Sequence, residues 1–142
     1  MLGFIMSAIA GATMSIQGVF NTRLSEKIGL YESNAFVQGS AFVLSLIAVF
    51  IVGKGDFREI ATAPKYCLLG GVLGLIITIT VMLGISKLTP TLATSTILIA
   101  QLLVAAIIDA FGLFGTEKLS FGIYKYVGVA MMIGAVVLFK IK

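Results

Sequence analysis

The sequence predicts an all-α integral membrane protein with five transmembrane helices, and three observations carry that prediction. Of the 142 residues, 59% are hydrophobic and 11% are charged, against about 25% charged in an ordinary soluble domain. Mean hydropathy is +1.13. The charges gather mostly in short connections between apolar runs long enough to cross a bilayer. So few charges cannot cover a water-facing surface of this size, and the lipid bilayer is the expected surroundings.

The apolar runs are roughly residues 2–21, 33–52, 67–86, 92–114 and 121–141. Each holds about 20 residues, enough for a ~30 Å hydrocarbon core at ~1.5 Å per residue. Run one lacks a basic leader, so it reads as a first helix rather than a cleaved signal peptide. "TRLSEKIGLYE" connects it to run two, and "GKGDFREIATAPKY" connects run two to run three. "KLTP" and "GTEKLS" lead into runs four and five. Pro64 and Pro90 stand just before runs three and four, where a missing N–H costs least. Tyr31, Tyr66, Tyr124 and Tyr126 fall near run boundaries, as an interfacial aromatic belt requires. No connection is long enough to fold alone, so residues 1–142 are expected to form one transmembrane domain.

Composition also excludes chemistries. Without histidine there is no imidazole base and no histidine-ligated zinc. A single cysteine, Cys67, excludes an internal disulfide and a cysteine-rich metal cluster; it reads as a small apolar residue at the head of a helix. No nucleophile–base pair falls in the spans, so neither an enzyme nor a cofactor or metal site is expected. The net charge of +4 is scattered between apolar runs, which suits helix flanks and not nucleic acid.

Five spans put Lys54, Arg58, Lys65, Lys118 and Lys125 on the face of the N-terminus, and Arg23, Lys27, Lys87, Lys140 and Lys142 on the other. That is 5 against 5, and the positive-inside rule then selects no orientation. One reading is dual topology, with copies inserted both ways and paired antiparallel into a ten-helix inverted-repeat bundle, a plan found in many transporters. The other is a single orientation set by folding or by a partner.

Small residues recur at helical spacing: Gly11, Ser15, Gly18 and Thr22 in run one, Gly70, Gly74 and Thr78 in run three, Gly128 and Gly134 in run five. They allow close helix packing in lipid and indicate no particular function. The carboxamides are more informative. Gln17 and Asn21 share a face near the end of helix one, and Asn34 and Gln38 share a face near the start of helix two. A short connection puts all four in the same half of the membrane, where helix four also begins with Thr91, Thr94 and Ser95 and reaches Gln101 near the midplane. Such groups need partners in hydrocarbon. They either bond helix to helix or line a cavity for a polar, neutral or zwitterionic small-molecule substrate. Phe20, Phe36 and Phe42 face lipid or core, or form apolar walls of that cavity.

"SIQGVFNTRL" in helix one and "LIAQLLVAAIIDAFGLFG" in helix four resemble the five-helix YdcZ-like family of the drug/metabolite transporter superfamily. The elements are Q-x3-N-x2-L (Gln17, Asn21, Leu24) and Q-x7-D-x-F-G (Gln101, Asp109, Phe111, Gly112). The family pattern often has histidine after the aspartate and glycine before the second glutamine, where this chain has Ala110 and Ala100. The resemblance implies a multi-pass protein of the bacterial inner membrane, an exporter of small molecules, working as an antiparallel homodimer or with a paired homologue. A small ion channel and a non-transporting subunit of a membrane complex are the rival classes.

Asp109 is the anomaly of run four. A charge at the bilayer centre costs about 3 kcal/mol on insertion scales. Counted from the end of the run at residue 114, it lies about 8 Å inside at ~1.5 Å per residue. It either pairs with Lys118, Lys125 or a lysine of the inverted copy, or it couples transport by binding a proton or a cationic substrate.

Overall fold

The structure is a computed structural model that describes residues 1–119 and 122–141. It is all-helical: α1 (Leu2–Ile28), α2 (Leu30–Val52), α3 (Gly70–Lys87), α4 (Pro90–Phe111) and α5 (Ile123–Lys140). Among the described residues, four helical stretches are long and apolar enough to cross a membrane: Leu2–Ile28, Leu30–Val52, Lys65–Lys87 and Pro90–Phe111. Within α5 the apolar stretch described is Tyr126–Leu138. The chain groups into two compact units, Met1–Lys87 and Leu88–Lys142.

The first unit corrects the expected connection between helices one and two. "TRLSEKI" is not a loop: α1 continues through it to Ile28, and α2 begins one residue later. Nothing in that stretch breaks a helix, since the next glycine is Gly29. The Arg23 guanidinium pairs with Glu26 at 3.2 Å, one turn on, and Lys27 complements the negative end of the helix. Hydropathy marks where lipid contact ends, which is a different event from the end of the hydrogen-bond ladder.

Gly29 makes the reversal, with φ 101° and ψ 157°. That region is essentially reserved for glycine, and a Cβ there would also run into the Glu32 carboxylate. Gly29→Ala is therefore expected to cost about 1–3 kcal/mol, read as a lowered melting temperature of the purified protein. An unchanged melting temperature would show that the turn tolerates another backbone conformation.

Beyond α2, Asp56 caps a 3-10 turn at Phe57–Ala61 by accepting from the Arg58 N–H at 2.8 Å. A second 3-10 turn, Lys65–Leu69, leads into α3. The four tyrosines are exposed, and each sits in the first turn of its element. Cys67 is exposed in the turn at the head of α3.

In the second unit α4 and α5 form a hairpin. Thr89 caps α4 by accepting from the Leu92 N–H at 3.3 Å, with Pro90 as its first residue. The fourth run was expected to stay helical to residue 114, but α4 ends at Phe111 because Gly112 turns left-handed, with φ 63°. Phe114 (φ 57°) and Gly115 (φ 82°) repeat the left-handed turn. Leu119 N–H then donates to the Asp109 carbonyl at 2.8 Å, folding the chain back over the helix end.

Candidate transport site

The candidate residues divide between the units. Gln17, Asn21, Asn34 and Gln38 lie in the first; Thr94, Ser95, Gln101 and Asp109 lie in the second.

Close packing builds the first group. A Cβ on Gly18 would stand 2.8 Å from Ile85 Cδ1 and 3.1 Å from Val81 Cγ1, so the bare glycine is what lets α1 approach α3. Around that approach Asn21, Thr22, Ser33 and Asn34 are buried, with Met82 and Ile85 of α3. Ser33, fully buried, donates to the Asn21 carbonyl at 3.3 Å and lies 3.7 Å from Met82 Sδ. It ties all three helices together, and the sequence reading passed over it. Its place beside Asn34, one turn after a glycine reversal, was the available signal.

The Thr22 and Thr78 hydroxyls are spent inside their own helices. Thr22 donates to the Gly18 carbonyl and Thr78 to the Gly74 carbonyl, each at 2.8 Å. The carboxamides are not spent in this way. Asn34 Oδ1 is buried without a partner among the described residues. Gln38 lies against α3, with its Nε2 3.5 Å from where a Gly74 Cβ would be. Gln17, expected on the same face as Asn21, is exposed. An exposed carboxamide on a membrane helix needs a partner from outside the unit.

In the second unit, Thr94 and Ser95 are half-buried and Gln101 is exposed at the middle of α4. Ser95 donates to the Thr91 carbonyl at 2.7 Å. Asp109 is half-buried and lines a groove of about 480 Å³ between α4 and α5. The groove is otherwise walled by Leu102, Ala105 and Ala106 on one side and Gly128, Val129 and Met132 on the other. Because α4 stops at Phe111, Asp109 lies about 3 Å from the helix end, not the ~8 Å expected. The ion pair formed among the described residues is Arg23–Glu26, and Lys118 makes none with Asp109. The Lys125 side chain lies outside the described residues.

Long apolar helices, mostly exposed large hydrophobic side chains and buried carboxamides define the class: a multi-pass membrane protein. The family described as "Putative inner membrane exporter, YdcZ" matches residues 2–138. The chain belongs to this family, which is of the drug/metabolite transporter type, and is a multi-pass inner-membrane protein of the transporter kind. Neither a curated protein nor a solved structure matches it.

Proposed function

We propose that the protein exports a small polar solute by alternating access as an antiparallel homodimer, residues 1–142 of each copy acting as one transmembrane domain in a ten-helix bundle. Gln17, Asn21, Asn34, Gln38, Thr94, Ser95 and Gln101 serve the solute, and Asp109 couples its movement. The observation that carries this reading is the Asp109 carboxylate in an apolar groove, without an ion pair among the described residues. It stands in the last turn of α4, where the macrodipole disfavours an anion. Local stability gives no reason for a charge there.

The channel alternative asks for polar lining continuous along the membrane. On α4 the stretch "LLVAAII" separates Gln101 from Asp109, about 12 Å of apolar helix. That interval supports separate binding and coupling positions over an open polar path.

A thermal-stabilisation screen of the purified protein against polar neutral and zwitterionic solutes tests the binding half. At a hundred times Kd a true ligand stabilises by about 2.7 kcal/mol. Gln17→Leu and Gln38→Leu are expected to remove that ligand shift while lowering intrinsic stability little. Carboxamides that serve only as interhelical bonds give the reverse pattern: ligand shift intact and a loss averaging about 0.6 kcal/mol each.

A further inference from the structure

The α2 surface bearing Ser33, Asn34 and Gln38 meets α3 at Met82 and Gly74. Gly74, Thr78 and Met82 follow one another at steps of four, so they form one line along α3. The seam between the helices therefore sets Ser33, Asn34 and Gln38 against a glycine, a threonine and an unbranched methionine. The larger branched side chains Val81 and Ile85 of α3 close on Gly18 of α1 instead.

One atom in the seam conflicts with a permanently shut structure. Asn34 is 4% exposed, and its Oδ1 has no partner among the described residues. A buried acceptor left unpaired carries its full desolvation penalty. Packing alone would be better served by leucine, which has nearly the same shape. A group that destabilises the closed state is explained if another state satisfies it.

We propose that the α2–α3 seam opens to water and that Asn34 Oδ1 is the acceptor hydrated on opening, making the seam the water-side entry for the exported solute. The inference rests on the exporter reading and adds where the pathway meets water. Among the described residues, the side-chain hydrogen bond across the closed seam is a weak one, Ser33 to Met82 Sδ at 3.7 Å; the other bond of Ser33, to the Asn21 carbonyl at 3.3 Å, fastens α2 to α1. The unpaired Asn34 acceptor biases the equilibrium toward opening.

The experiment uses the full-length protein in proteoliposomes. Cys67 is the single cysteine and lies in an exposed turn, so Cys67→Ser provides a thiol-free background. Asn34→Cys, Gln38→Cys, Phe36→Cys and Val43→Cys are each introduced singly and treated with a charged methanethiosulfonate, which modifies thiols that meet water. Phe36 and Val43 are 64% and 54% exposed and lie on the side of α2 away from Asn34 and Gln38. Modification at least tenfold faster at positions 34 and 38 than at 36 and 43 is expected. Rates at 34 no faster than at 43 would mean a static seam, while leaving the exporter reading to the ligand screen.

A second variant covers the chance that Asn34→Cys misfolds. Asn34→Leu removes the orphan acceptor and should raise the melting temperature by about 3 °C. A fall would show that Asn34 is bonded in the membrane and would overturn the proposal.

Discussion

Asp109→Asn is expected to reduce gradient-driven accumulation to the equilibrium level reached without a gradient, while downhill exchange and the dimer survive. The substitution keeps the shape and much of the hydrogen bonding of the side chain but removes its charge and its titration. The effect should be total, because a carrier without its coupling group equilibrates its solute and cannot concentrate it. The measurement is uptake of a solute found by the stabilisation screen into proteoliposomes with an imposed proton gradient. Asp109 lines the α4–α5 groove and stands in the last turn of α4, where an anion opposes the helix dipole. The competing reading pairs it with a lysine, and Lys118 of the same copy does not fill that role. If a lysine of the inverted copy does, Asp109→Asn should weaken the dimer itself, and exchanging the two charges should restore it. Undiminished gradient-driven uptake would remove Asp109 from the mechanism.

Helix number and approximate placement were legible because each run must match the thickness of a bilayer. Helix ends were legible only where the terminator is local. Thr89 and Pro90 announce the start of α4, but Gly112, inside an apolar run, reads equally well as a packing glycine until its left-handed φ is seen. The D-x-F-G element thereby acquires a physical meaning: its glycine ends the helix and brings its aspartate into the last turn. "TRLSEKI" misled in the opposite direction, since polar residues that leave lipid need not leave the helix.

The candidate site was legible as a depth and a face, and not as contacts. Periodicity paired Asn34 with Gln38 and also aligned Gly70, Gly74 and Thr78. It could not show that Gln38 lies over Gly74, because that depends on how α2 and α3 are rotated about their axes. Ser33 was missed for the same reason. A serine is ordinary in a helix, and only burial against Met82 distinguishes it.

Orientation yields the other large expected effect. With five basic residues on each face, insertion has no preferred direction, so a C-terminal reporter should read on both sides of the membrane. The α3–α4 connection offers a clean place to break the tie. Ser86 and Leu88 are exposed, and Thr89 and Pro90, which cap α4, can be left intact. Ser86→Lys with Leu88→Lys changes 5 against 5 to 5 against 7, which should bring the C-terminal face inside in essentially every copy. Arg58→Ala with Lys54→Ala, giving 3 against 5, should do the same from the opposite face. The Asp56 cap survives this change, because it is made to the backbone of residue 58. An antiparallel dimer needs both orientations. A uniformly oriented population should therefore lose export, and co-expression with a variant given two extra lysines in the α2–α3 connection should restore it. Full export from copies that all face one way would rule out the antiparallel pair.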